Sequence, residues 1–272
     1  MNVCRVWLLG ALCCALLFGA AQAQSNDAAD TVELHLGGTD EAFAYSSLLL
    51  REALESEGYR VTITRVENVP MSRMEVMMER GDVSAHILGE TPERNARYIP
   101  VRIGMTDNLV GKRVLFIKPD DQVRFDGVTS LDDMRQRSLV GGLGEAWGDV
   151  AIWTTNDLPL YTLSGDWKYL YGMVASGRRG VDYLPRGANE IALEWALFPD
   201  LAVEQHLVFE YEKDHILYVT PTDESLHALL HEVMARAEAS GLIRQIAREF
   251  YQAVYEPPVS LGSRRVISLD LP

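Results

Sequence analysis

The sequence is short of cysteine: three residues in 272, at positions 4, 13 and 14. All three fall in an N-terminal stretch laid out like a secretory leader. Arg5 supplies the positive start, Val6 to Phe18 an apolar core, and Ala21-Gln22-Ala23 a small-x-small cleavage site. Cleavage after Ala23 is expected to leave a secreted chain that begins at Gln24. Such a chain has no disulfide and no thiol, which excludes cysteine nucleophiles and cysteine metal clusters. Lipid attachment at Cys13 or Cys14 fits poorly, because apolar residues continue past both.

Basic residues are also scarce, 25 against 39 acidic, for a net charge of −14. Without Arg5 the balance moves to about −15, which argues against nucleic acid, whose binders present a basic face. A small ligand is not excluded, since a local pair of arginines can sit inside an acidic protein. Beyond the leader no run of about 18 apolar residues could span a membrane. Internal repeats and low-complexity segments are missing too. The remaining 249 residues or so suit one large domain or two lobes.

What is present reads as alternating strands and helices. Thr31 to Leu36 alternates as a strand and ends at Gly37-Gly38-Thr39-Asp40. A helix is expected from Ala42 to Glu57, closed by Gly58, with Leu48, Leu49, Ala53 and Leu54 on its buried face. A second strand, Tyr59 to Val66, precedes a helix from Met71 to Arg80. Met71, Met74 and Met78 share one face of that helix and read as core, in preference to a copper site that would use them with Met77. An apolar strand from Val83 to Leu88 follows. This order predicts a mostly parallel, helix-covered sheet, whose ligands sit at the carboxyl ends of strands.

Gly89-Glu-Thr-Pro-Glu-Arg-Asn-Ala-Arg-Tyr-Ile-Pro100 lies at one such end. Thr91 stands where a helix N-cap belongs, Pro92 at the first helical position and Glu93 in the first turn. Backbone N–H groups at Gly89 and the helix start, with Arg94 behind them, form a seat for a carboxylate.

A strand from Leu109 to Ile117 opens a second set of elements, and Ser130-Leu-Asp-Asp starts a short helix. Another strand, Ser138 to Leu143, runs into Gly141-Gly-Leu-Gly-Glu-Ala-Trp-Gly-Asp149 and a helix to Asn156. The glycine spacing is neither a P-loop nor a dinucleotide fingerprint; it either seats an anion or only permits a tight turn. After a helix from Trp167 to Ala175, Val181-Asp-Tyr-Leu-Pro-Arg-Gly-Ala-Asn-Glu190 repeats the strand–turn–helix logic and offers Arg186, Asn189 and Glu190. Strands at Leu207 to Tyr211 and His215 to Thr220, then helices at Asp223 to Ser240 and Leu242 to Tyr255, complete the chain. His227 and His231 share one turn and read as an exposed pair without a third metal ligand.

The Gly–x–Thr–Pro–Glu–Arg turn, Ser-Leu-Asp-Asp, the glycine-rich turn, the Gly–x–x–Gly–Val–Asp strand and the last helices together resemble periplasmic solute-binding proteins of family 3, the amino-acid type. The resemblance covers nearly all of the chain after the leader. It implies an α/β, two-lobed periplasmic-binding-protein type II fold, with mixed, mostly parallel sheets flanked by helices. Lobe one would be 24–108 plus 214–272 and lobe two 109–213, joined by two chain crossings and closing on a ligand. Arg94 matches the arginine that grips the ligand carboxylate. Thr39, Tyr45, Gly89, Thr91, Glu145, Trp147, Arg186, Asn189 and Glu190 complete the expected ligand contacts. The acid that holds an α-ammonium group in the family is replaced by Gly187, and the usual hydroxyl residue of the glycine-rich turn by Ala146 or Trp147. The second arginine, Arg186, therefore points to an anionic ligand. The resemblance implies a monomeric periplasmic receptor without cofactor or metal, partnered by an ABC-transporter permease or a membrane sensor. The alternatives are a stand-alone sensor or accessory protein and, less favoured, a hydrolytic enzyme.

Overall fold

The computed structural model describes residues 30–67 and 69–272. The leader expected at 1–23, with its cysteines and cleavage site, lies outside the described residues. In chain order the first elements are β1 (Thr31–Leu36), α1 (Asp40–Ser56), β2 (Arg60–Arg65), α2 (Met71–Arg80), β3 (Ala85–Gly89), α3 (Pro92–Arg97) and β4 (Ile99–Val101). Next come β5 (Lys112–Ile117), α4 (Gln122–Phe125), α5 (Leu131–Arg137), β6 (Gly141–Gly144), α6 (Asp149–Thr155), β7 (Leu160–Leu163), α7 (Tyr169–Ser176), β8 (Tyr183–Gly187) and α8 (Ala188–Glu194). The chain ends with β9 (Ala202–Val203), β10 (Leu207–Glu210), β11 (His215–Val219), α9 (Glu224–Ser240), α10 (Leu242–Phe250) and β12 (Arg265–Ser268).

Two mixed sheets flanked by helices result. The first has the order β2-β1-β3-β11-β4, and the second β12-β10-β5-β8-β6-β7 with β9 beside β5. In the first, β1 runs parallel to β2 and β3, and β11 enters antiparallel between β3 and β4. Alternation along β1 buries Val32, Leu34 and Leu36 in the same core as Leu49, Leu50, Ala53 and Leu54 of α1. Leu48, expected in that stripe, is exposed. At about 100° per residue the stripe through 45, 46, 49, 50, 53 and 54 leaves position 48 on the opposite side of the helix. On the other face of the sheet, Met74 and Met78 pack with Val83, Leu88 and Tyr218, as the core reading requires of these two methionines.

In the second sheet β5 is apolar on both faces. Val114 and Phe116 join one core and Leu115 and Ile117 the other, as a central strand covered on both sides demands. β12 had no counterpart in the sequence reading. It pairs parallel to β10 at the edge of this second sheet, so the chain crosses between sheets three times rather than twice.

A buried ion pair fixes that last crossing. Arg264 and Glu204 are both wholly inaccessible and stand 3.4 Å apart. Glu204 also accepts from the His206 and Leu207 backbone N–H groups and from Gln122, while Arg264 donates to the carbonyls of Val259, Leu207 and Pro258. Every charged atom of the pair is thus satisfied within the protein, the condition under which buried charge is tolerated. Glu204→Ala strands a buried guanidinium and is expected to cost about 3–5 kcal/mol in urea unfolding. A loss below about 1 kcal/mol, the size of an exposed pair, would contradict this role.

Candidate functional site

The carboxyl-end turns of the two sheets face each other across a cleft of about 990 Å³. A larger groove of about 1240 Å³ lies behind the crossings, around Asp107, Glu238 and Arg244. It gathers ion-paired surface side chains, such as Arg244 with Asp107, and none of the strand-end turns.

The lobe-one wall is the turn from β3 into α3. Thr91 caps α3, its Oγ1 accepting from the Arg94 backbone N–H at 3.2 Å, with Pro92 at the first helical position. The Arg94 guanidinium folds back so that Nη1 donates to the Gly89 carbonyl at 2.7 Å. Gly89, Thr91 and Arg94 all line the cleft, as does His215, which pairs with Gly89 across β11. Burial pushes the His215 imidazole below its usual range, so it is neutral near pH 7. Behind this wall burial lowers His86 to about 4, with the Arg94 charge as a lesser cause.

The lobe-two wall is a chain of paired charges. Arg113, the first buried residue of β5, donates through Nε to the Tyr211 hydroxyl at 2.6 Å and through Nη1 to Glu190 at 3.1 Å. Its Nη2 lies 2.9 Å and 3.1 Å from the two Asp149 oxygens, and the Tyr211 hydroxyl donates to Asp149. Arg186 grips Glu194 with two hydrogen bonds, 2.9 Å and 2.6 Å, and reaches Glu190 at 3.1 Å. Trp147 and Trp167 lie beside that guanidinium, with ring centroids 5.5 Å and 4.6 Å away. Burial alone would raise the Glu190 carboxyl. Arg186, Arg113 and the Gly187 N–H outweigh it and bring the group to about 2, so it is ionised at neutral pH.

Six of the ten expected contact residues therefore meet at the cleft: Gly89, Thr91, Arg94, Trp147, Arg186 and Glu190. The other four do not. Tyr45 is 2 % exposed in the core and donates to the Met105 carbonyl. Thr39 is engaged as the N-cap of α1. Glu145 is exposed and does not line the cleft. Asn189 is buried behind the wall, near Tyr251. Arg186 is not the free cation the sequence suggested, because Glu194, at the far end of α8, already holds it. Gly187 has its own task, since a methyl group there would lie 2.9 Å from the Glu190 carboxylate that accepts from its N–H.

Arg113, Asp149, Trp167, Lys213 and Asp214 line the cleft and were missed. Arg113 carried one signal, the pair of charges Lys112-Arg113 opening an otherwise apolar strand. Among the described residues no three His, Cys, Asp or Glu side chains are arranged to hold a metal ion. His227 lies 3.3 Å from the Pro100 carbonyl, with its ring centroid 6.0 Å from that of His231.

Glu41, in the first turn of α1, feels the lobe-two carboxylates. Burial raises it to about 7, the charges of Glu190 and then Glu194 add to this, and a hydrogen bond with Tyr251 works the other way. A carboxyl raised on folding takes up protons as the chain folds. Stability therefore falls as pH rises from about 4.5 through 7. Glu41→Gln should raise Tm at pH 8 and leave it nearly unchanged at pH 4, read by thermal denaturation. Equal shifts at both values would rule out the titration.

No protein-family model matches this sequence, and no curated protein matches it. Solved structures do. The probable amino-acid ABC transporter extracellular-binding protein ytmK of Bacillus subtilis aligns over 82% of this chain and 97% of its own, at 10% identity and a TM-score of 0.55. An amino acid ABC transporter substrate-binding protein of Streptococcus pneumoniae, bound to L-arginine, aligns over 81% and 94%, at 10% identity and 0.52. The AvGluR1 ligand-binding domain, in complex with glutamate, aligns over 82% and 96%, at 12% identity and 0.52. A weaker match is an ancestral cyclohexadienyl dehydratase, at 12% identity and 0.45. At these identities the likeness is one of fold: this chain has the two-lobed fold of the amino-acid ABC-transporter substrate-binding proteins.

Proposed function

We propose that the protein is a periplasmic solute-binding protein for an ABC transporter, exported by its N-terminal leader, that traps a small carboxylate-bearing ligand between its lobes. One observation carries the reading. Of the three arginines lining the cleft, Arg113 and Arg186 are held by carboxylates, whereas Arg94 has no carboxylate partner among the described residues. A guanidinium has five N–H donors, and Arg94 spends one on Gly89, which orients the group and leaves the others for a ligand. The opposite wall is already folded around its own charges, so a ligand meets a preformed surface and little ordering cost. The named neighbours with TM-scores above 0.5 are binding proteins, two of them of ABC transporters, which supports a binder over a catalyst.

Arg94→Ala removes a charge-assisted contact of about 1.5–3 kcal/mol and is expected to weaken binding at least about tenfold. Calorimetry checks this with the best carboxylate from a thermal-shift panel. Closure on the same ligand should shrink the radius of gyration of the native protein in X-ray scattering. Unchanged affinity in Arg94→Ala, at wild-type Tm, would overturn the reading.

A further inference from the structure

The cleft holds a second unpaired cation. Lys213 sits on the short segment between β10 and β11 that crosses from the second sheet to the first, and it lines the same cleft as Arg94. Its side chain has no hydrogen bond or ion pair among the described residues. Its neighbour Asp214 cannot serve, because that carboxylate already accepts from the backbone N–H groups of Thr106, Asn108 and His215 and from the Thr106 hydroxyl. The other cleft carboxylates nearby, Asp149 and Glu190, are taken by Arg113 and Arg186.

Lys213 is half-buried, and its ammonium has a defined neighbour. A methyl group on Gly148 would lie 2.7 Å from Lys213 Nζ, so the charge rests against the turn leading into α6, on the lobe-two side of the cleft. Glycine at 148 leaves the room that the ammonium occupies. With the nearby carboxylates engaged elsewhere, this ammonium keeps its donors for an anion that a ligand brings.

We propose that Lys213 is the second anion contact of the site, and that the cleft selects a small solute with two acid groups, one held by Arg94 and the other by Lys213. The inference rests on the solute-binding reading and sharpens it. Simple dicarboxylates and acidic amino acids share this chemistry. They differ in an ammonium group, for which Glu190, ionised and facing the cleft, is the candidate partner, since among the described residues of the lobe-two wall Asp149 and Glu194 are each held by two contacts from a single arginine.

Calorimetry on the full mature chain tests the assignment with succinate and glutarate, the monoacids butyrate and valerate, and the pairs aspartate with asparagine and glutamate with glutamine. The diacids should bind at least about tenfold tighter than their single-acid counterparts, the discrimination expected of one extra charge-assisted contact. Lys213→Gln should bring that ratio to within about threefold. Lys168→Gln, which removes the same charge from an exposed site on the second lobe, should leave it intact. Comparing glutarate with glutamate then reads whether an ammonium helps. Single-acid ligands binding as tightly as diacids would overturn the inference and leave the Arg94 reading standing. A diacid preference that survives in Lys213→Gln would do the same. If no acid in the panel binds, the solute-binding reading fails and the inference with it.

Discussion

The site depends on a buried chain of charge: Asp149, Arg113, Glu190, Arg186 and Glu194, in contact one after the next. Two guanidiniums have been taken out of water at the mouth of a cleft, which is tolerable only because three carboxylates and a tyrosine hydroxyl answer them. Removing any one acid would leave an arginine partly unanswered, so the pairing holds β5, β8, α6 and α8 in one arrangement. The wall is stiff for this reason. Its arginines are positive in sequence but carry no spare charge in space.

In the proposed reading, that pairing sets where a ligand's charge can go. With Arg113 and Arg186 committed, Arg94 remains on the β3–α3 turn and Lys213 on the crossing segment. The crossing is itself fixed by Asp214, which gathers three backbone N–H groups and the Thr106 hydroxyl around one carboxylate. Asp107 and Asn108 take positive φ angles of 51° and 57° beside it, and Asn108 bonds the Tyr211 carbonyl of the opposite crossing strand. Because Asp214 is occupied in this way, the lysine next to it is left for something else. In the proposed reading, fold and specificity are linked through that single carboxylate.

Local patterns were legible in the sequence. The β3–Thr91–Pro92 turn could be read because a cap, a helix-initiating proline and an apolar strand lie within ten residues, and their chemistry needs no distant partner. The alternation of β1 and the glycine that closes α2 were equally local. What could not be read was pairing across distance. Arg113 meets Asp149 and Glu190 at separations of 36 and 77 residues, so nothing near it announces an ion pair. Arg186 looked free for the same reason, although Glu194 is only eight residues on; the β8–α8 geometry that folds it back is not written in spacing. Tyr45, a ligand contact implied by the family resemblance, is turned inward by the phase of α1. β12 was missed because a four-residue edge strand far from its partner β10 has too little pattern to declare itself.

The most direct test is a crystal structure of the complex with the tightest-binding acid. Ligand carboxylate oxygens are expected within about 3.2 Å of the Arg94 guanidinium, with Arg113 keeping Asp149 and Arg186 keeping Glu194. A ligand that displaces Glu194 and takes its place on Arg186, leaving Arg94 bonded only to Gly89, would contradict this.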